Sequence, residues 1–147
     1  MEARLKQAGI LLLGTNRADG WPRISPCEGF VFDGDLLFGM IWRSKKALDL
    51  GRDPRLTVVT PRLDSEGIDG DLKLYGTAAG VEDPSRRSAY AEALEAATGW
   101  KPREPYHLFA FDVQRAGFIS FGAERRMVRW SPETGVEELA HPTPEGP

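Results

Sequence analysis

A serine followed by two lysines stands at the start of a predicted short helix, in the run Ser44-Lys45-Lys46-Ala47-Leu48. Serine is a good N-cap residue, and Asp53-Pro54 is a typical helix stop. The first helical turn carries the positive end of the helix dipole, so a lysine there usually costs roughly a few tenths of a kcal/mol. Free helix N–H groups, a hydroxyl and two ammonium groups together favour binding of a small anion, above all a phosphate group.

The alternative interpretation of these lysines is a plain helix surface, with the charged heads in water and the stems over apolar neighbours. A second motif adds weight to the anion hypothesis. In the predicted strand that contains Arg23-Ile24-Ser25-Pro26, Arg23 and Ser25 point to one side, and an arginine beside a hydroxyl forms a small anion-binding pair. A solvated arginine on an exposed barrel face explains that motif alone. Because the next strand delivers Ser44 and both lysines, we expect the two motifs to surround one phosphate.

Composition excludes several classes of function. The chain has 147 residues, enough for one domain, and a net charge of −3, which argues against nucleic acid as its partner. The segment from Arg43 to Arg55 nevertheless holds five basic and two acidic residues, which suits a small anion. A single cysteine, Cys27, predicts a reducing, cytoplasmic compartment. No apolar run reaches membrane-spanning length, and no cluster of ligands predicts a metal site.

Short apolar runs separated by turn residues predict about seven strands in a mainly β fold, a β-barrel with flanking helices. Asp83-Pro84 predicts the start of a longer helix that closes at Gly99. Two strands, 106–114 and 117–122, are predicted to meet at Ala116-Gly117. Residues 1–130 are predicted as one domain, and 131–147 as a polar C-terminal tail that is partly disordered.

Three segments in sequence resemble the pyridoxamine 5′-phosphate oxidase-like, FMN-binding split-barrel family. They are Arg-Ile-Ser-Pro at 23–26, Gly-Met-Ile-Trp-Arg-Ser-Lys-Lys-Ala at 39–47 followed by Arg-Asp-Pro-Arg at 52–55, and Leu-Lys-Leu-Tyr-Gly-Thr-Ala at 72–78. The resemblance covers roughly residues 11–130. It implies a six-stranded antiparallel split barrel of Greek-key type that works as a homodimer. FMN, or alternatively the deazaflavin F420, is then expected in a cleft between the subunits.

The resemblance also assigns roles to single positions. Arg23, Lys45 and Lys46 match phosphate-binding positions, and Ser25 and Pro26 match contacts near the ring or ribityl chain. The strand end that lies against the cofactor matches Gly39 and Met40, and Trp42 borders the site and is suited to cover a ring. With the hydroxyl of the helix N-cap, the predicted cofactor-binding set is Arg23, Ser25, Pro26, Gly39, Met40, Trp42, Ser44, Lys45 and Lys46. No catalytic acid or base is identified.

Two departures from the family pattern exclude oxidation of vitamin B6. Glu28 stands where the true oxidases have a lysine for the substrate phosphate, and an acidic group there repels that substrate. The family's C-terminal arginine–leucine–histidine–acid–arginine signature is also missing, because 125–129 contains no histidine. We therefore expect an FMN- or F420-dependent oxidoreductase that acts on an unknown small organic substrate. The alternatives are a non-catalytic module that binds FMN, F420 or haem for storage or sensing, and a cofactor-free interaction protein.

Overall fold

The structure is a computed structural model and describes residues 1–141 of the 147-residue chain. Within these residues, three helices and nine strands follow one another in the order α1 (Glu2–Ala8), β1 (Ile10–Asn16), β2 (Pro22–Glu28), β3 (Phe30–Phe32), β4 (Asp35–Ile41), α2 (Lys45–Arg52), β5 (Arg55–Val59), β6 (Asp71–Gly80), α3 (Pro84–Thr98), β7 (Tyr106–Ser120), β8 (Arg126–Ser131) and β9 (Gly135–Leu139). Every strand pair is antiparallel. The predicted mainly β, antiparallel architecture is confirmed.

Six strands in the order β2-β1-β5-β6-β7-β4 curl around one apolar core. Each of the six contributes to this core, whose most deeply buried members include Leu13, Phe38 and Val58. The two end strands of the series come close without a ladder between them in the described part of the chain, because the Cys27 sulfur lies 3.9 Å from the carbonyl oxygen of Gly39. This gap is the split in the predicted six-stranded barrel. Strand β3 extends β4, and β8 and β9 extend β7.

The helices occupy different places around this barrel. The core includes Leu5 of α1 as well as Ala47 and Leu50 of α2. Helix α3 covers the outer face of β4 and β7 through a second apolar cluster that contains Tyr90 and Leu94. Buried Asp49 of α2 accepts a hydrogen bond from Thr15, the next-to-last residue of β1, so α2 is fixed against the hairpin end of β1 and β2.

The inner faces of β1 and β2 change from apolar to polar along their length. Facing pairs in the ladder are Leu11–Cys27, Leu13–Ser25 and Thr15–Arg23. Thr15 is buried and Arg23 is half-buried, at the end of the two strands where α2 lies. Because a strand sends alternate side chains to the same face, the 23/25/27 row points inward and Ile24 and Pro26 point outward. Arg23 is thereby aimed at α2.

The C-terminal part of the fold differs from the prediction of a polar tail. Gly135–Leu139, inside the predicted polar tail, forms β9 and pairs with β8, because the free edge of β8 offers an unpaired row of backbone groups. Arg129 donates to Glu137 across this pair at 2.8 Å. Residues 142–147 of the predicted tail lie outside the described residues. No helix among residues 1–141 combines the length and the apolar composition that crossing a membrane requires.

Candidate functional site

A basic cavity of about 310 Å³ opens between the β1–β2 hairpin and α2. It is lined by Arg17, Ala18, Asp19, Arg23, Lys45, Leu48, Asp49 and Arg52. Four of these side chains are basic and two are acidic, so the lining carries a net charge of two positive units. Arg17 and Asp19 form an exposed ion pair with 3.0 Å between nitrogen and oxygen. Arg23, Asp49 and Arg52 form a second network of charges inside the cavity.

A single carboxylate organises this network. Asp49 is only 3% exposed, and its Oδ2 accepts hydrogen bonds from Arg23 Nε at 2.6 Å and from Thr15 Oγ1 at 2.8 Å. Its Oδ1 accepts from Arg52 Nη2 at 3.3 Å, and the same Nη2 donates to the carbonyl oxygen of Asn16 at 2.6 Å. Two arginines from separate elements are therefore held on one buried anion.

The protonation of Asp49 follows from these contacts. Burial alone would raise the pKa of this carboxyl, but the hydrogen bonds from Arg23, Thr15 and Arg52 outweigh burial and lower the pKa below its usual value. Asp49 is therefore ionised at neutral pH. Only Nε of the Arg23 guanidinium is hydrogen-bonded within residues 1–141, which leaves its two Nη groups for a ligand.

The start of α2 offers a further polar group, the predicted site residue Ser44, which precedes Lys45 in the chain but does not itself line the basic cavity. Ser44 occupies the predicted N-cap position, but its side chain makes no capping hydrogen bond. Its Oγ is buried and has no hydrogen-bond partner among the residues that the structure describes. A buried hydroxyl without a partner is costly unless a ligand or water satisfies it. The first N–H groups of α2 are likewise uncapped by a side chain.

A large aromatic cleft of about 1130 Å³ lies on the other side of α2. Trp42, His107 and Phe109 line it, together with residues of α2, the start of α3 and the connector before β7. The Trp42 and His107 rings are stacked with 4.6 Å between centroids and 12° between planes. Leu48 and Arg52 line both the basic cavity and the aromatic cleft, so the two spaces share a rim.

The structure brings part of the predicted set together and separates the rest. Arg23 and Lys45 line the basic cavity, whereas Lys46 does not. The charge of Lys46 acts instead on buried Cys27: burial raises the pKa of this thiol, and Lys46 lowers that pKa to a smaller extent. Helical geometry explains the separation, because neighbouring residues point about 100° apart.

The other predicted positions have different surroundings. Ser25 faces inward on β2 but does not line the basic cavity, and Pro26 is exposed on the opposite face of the strand. Gly39 lies under the Tyr90 hydroxyl, which would be 3.0 Å from an added Cβ. Met40 is 3% exposed and belongs to the barrel core. Both residues, with Trp42, border a second cleft of about 830 Å³ beside the connector before β7.

Sequence reasoning missed Asp49 and Arg52, although the sequence contains a signal for both. Residues 45, 49 and 52 are spaced i, i+4 and i+7, which places them on one face of a helix. In the sequence alone, one aspartate within a basic segment indicates only that some of the positive charge is balanced. That Asp49 would be buried and would meet Arg23 and Thr15 depends on the packing of α2 against β1 and β2.

The network predicts a specific acid response. In Asp49→Asn, we expect the free energy of unfolding at pH 7 to fall by roughly 1–3 kcal/mol, because a charged hydrogen-bond acceptor is lost. A carboxylate with a lowered folded-state pKa contributes stability above its unfolded pKa, near 3.9, and loses it as the pH falls through the folded pKa. The difference between wild type and variant should therefore shrink below about pH 4. Urea unfolding of both proteins between pH 7 and pH 3 measures this difference in the free energy of unfolding. A difference that stays constant over this pH range would contradict the prediction.

Comparisons with known proteins give the family of the chain. A sequence profile of the pyridoxamine 5′-phosphate oxidase family matches residues 1–120. A heme binding protein from Mycobacterium smegmatis has a TM-score of 0.69 and 23% identity, with 90% of this chain and 57% of that chain covered. This chain thus spans little more than half the length of that relative.

Two further solved structures share the fold. PhzG from Burkholderia lata 383, in complex with tetrahydrophenazine-1-carboxylic acid, has a TM-score of 0.65 and 15% identity over 94% of this chain and 84% of its own. HutZ, the heme storage protein from Vibrio cholerae, has a TM-score of 0.64 and 18% identity over 84% of this chain and 94% of its own. Identities this low establish the fold alone. No protein of curated function matches the sequence. Since the profile covers most of the chain, and the split barrel agrees with it, the protein belongs to the pyridoxamine 5′-phosphate oxidase-like family.

Proposed function

We propose that the protein binds FMN and is an FMN-dependent oxidoreductase that acts on a small organic substrate. In this proposal the phosphate occupies the basic cavity and the ring system lies in the aromatic cleft. The observation that carries it is the shared rim of the two spaces, formed by Leu48 and Arg52. One elongated ligand with an anionic end and a flat apolar end suits this arrangement.

The basic cavity fits a terminal phosphate. A phosphate monoester carries about −1.5 to −2 charges at pH 7, close to the net charge of the cavity lining with its sign reversed. The free Nη groups of Arg23 and the ammonium of Lys45 are donors suited to phosphate oxygens. The unpartnered Ser44 hydroxyl, next to the uncapped start of α2, adds support of the same kind.

The aromatic cleft fits a planar ring. Ligand sites of this size are mostly apolar with a few polar groups, and here buried Phe109 and half-exposed Trp42 supply apolar surface. FMN, when bound, supplies the hydride or electron transfer. The residues of this chain bind the phosphate, orient the ring and exclude water from one of its faces. Arg87 also lines the cleft, but its guanidinium already donates to Glu104 and to the carbonyl oxygens of Val81 and Tyr106.

F420 and haem remain the alternatives to FMN. F420 holds its phosphate as a diester with a single negative charge, which matches the cavity charge less well than a monoester does. Haem iron needs an axial ligand, commonly a histidine. Nε2 of His107 already accepts a hydrogen bond from the backbone N–H of Arg43 at 3.1 Å, and its ring is stacked on Trp42. Iron ligation at that nitrogen would break this contact.

A homodimer with the cofactor at the subunit interface is part of the proposal. Three large apolar residues, Ile41, Trp42 and Trp100, are more than half exposed and border the same second cleft. Exposed apolar groups that share a cleft mark an interaction surface. Light scattering coupled to size exclusion tests the stoichiometry, and a monomer that still binds FMN would contradict the shared site.

The test of the proposed function is a parallel titration of the purified protein with FMN, F420 and haem, followed by absorbance and fluorescence. We expect FMN to bind most tightly and inorganic phosphate to compete with it. Steady oxidation of a reductant by the FMN-loaded protein would support the enzyme. Tight binding without turnover would favour a storage or sensing module, and tighter binding of F420 or haem would contradict the choice of cofactor.

A further inference from the structure

We propose that Asp49 is the positioning residue of the basic cavity, holding Arg23 and Arg52 in the arrangement that receives the phosphate. The inference rests on the proposed function, because the ligand is the phosphate group of FMN. The negative charge of Asp49 by itself repels a phosphate. Asp49 is an acidic group in an anion site, so its contribution must come from what it holds in place.

The geometry supports a positioning role. Arg23 comes from β2 and Arg52 from α2, and the carboxylate of Asp49 is the group that both contact. Arg23 donates to Asp49 through Nε. The two Nη groups of the same guanidinium are therefore left for a ligand. Thr15 Oγ1 fixes the same carboxylate oxygen from β1 at 2.8 Å. An arginine held this way loses less side-chain freedom on binding phosphate.

A charge effect and a positioning effect of Asp49 predict opposite changes in the affinity for phosphate when Asp49 is replaced. By charge alone, loss of a negative group raises the positive charge of the lining and tightens the binding of any anion. By position, the two arginines lose their common anchor and phosphate binding weakens. The direction of the change in affinity therefore separates the two explanations.

The cavity provides a matched control for charge. Asp19 also lines it but is 52% exposed at its side chain and forms its ion pair with Arg17, outside the Asp49 network. Asp19→Ala and Asp49→Ala change the charge of the lining equally. Only the second removes the contacts to Arg23 and Arg52.

The experiment compares FMN with riboflavin, which has the same ring and no phosphate, by fluorescence titration of the full chain. In Asp49→Ala we expect FMN to bind about tenfold more weakly and riboflavin to bind as in wild type. Asp19→Ala should bind FMN as tightly as wild type or more tightly. Asp49→Asn, which keeps an acceptor oxygen, should lie closer to wild type than Asp49→Ala does.

Thr15→Val tests the same positioning role if Asp49→Ala fails to fold. It removes one bond to the carboxylate without changing any charge, and we expect roughly twofold to threefold weaker FMN binding with riboflavin unchanged. Tighter FMN binding by Asp49→Ala, or equal losses for FMN and riboflavin, would overturn the positioning role. If wild type does not prefer FMN to riboflavin, the phosphate site itself fails and the proposed function fails with it.

Discussion

Replacing Lys45 with alanine should weaken FMN binding by roughly tenfold to a hundredfold, whereas replacing its neighbour Lys46 should change it less than about twofold. Lys45 lines the basic cavity, and a hydrogen bond from an ammonium group to phosphate contributes about 1.5–3 kcal/mol. Lys46 does not line the cavity, and its charge acts on the pKa of buried Cys27. Fluorescence titration of the two single variants measures the difference directly.

Lys46→Ala is the matched control for this prediction, since it removes the same charge one residue away on the same helix. General attraction of anions to a basic segment would weaken both variants alike. Arg23→Ala should resemble Lys45→Ala, because both side chains belong to the cavity. Equal losses for the two lysine variants would place the phosphate elsewhere on α2 and would refute the division of roles.

Replacing Gly76 with alanine should lower the free energy of unfolding by more than about 2 kcal/mol. The β6–β7 register shifts between Tyr75 and Gly76, and an added Cβ at Gly76 would lie 1.8 Å from the carbonyl oxygen of Asp112. The obstructing atom belongs to the backbone of β7, so relief requires the two central strands to separate. Thermal unfolding should show a melting temperature lower by roughly 5–10 °C.

Gly117→Ala provides the control for this second prediction. Gly117 lies on the same pair of strands, facing Lys73, and no atom lies within 4 Å of the position of its added Cβ. We expect this variant to stay within about 0.5 kcal/mol of wild type. A similar loss of stability in both variants would mean that the bulge is not the sensitive point of the barrel.

Local signals in the sequence predicted many of the elements. Asp83 accepts hydrogen bonds from the N–H groups of Ser85 and Arg86, and α3 ends at Gly99 in the left-handed conformation, as the capping residues indicate. Helix α2 lies between the predicted cap and stop. The bulge at Gly76 was also predictable, because an isolated glycine in a strand is typical of one.

Signals that depend on distant partners were misread. The pair Ala116-Gly117 was predicted to separate two strands, but β7 continues through it because β6 and β8 pair with it on both sides. Strand β9 was missed for a similar reason. Its charged residues suit a solvated tail in isolation, and become strand residues once β8 supplies hydrogen-bond partners and arginines.

The candidate site shows the same division. Residue types and helical spacing predicted that Arg23, Ser25, Ser44, Lys45 and Lys46 surround one phosphate, and of these Arg23 and Lys45 line one basic cavity. They did not show which of two adjacent lysines faces the cavity, because that depends on the rotation of α2 about its axis. Nor did they show that Asp49 is buried against Thr15, a contact between residues 34 positions apart.

The affinity of the wild-type protein for FMN relative to riboflavin tests the central claim most directly. Both ligands carry the same ring, so the ratio isolates the phosphate. A phosphate held by Arg23 and Lys45 predicts FMN binding that is at least about a hundredfold tighter, with the advantage falling as salt concentration rises. Equal affinities would mean that no phosphate occupies the basic cavity, and would contradict the proposed site.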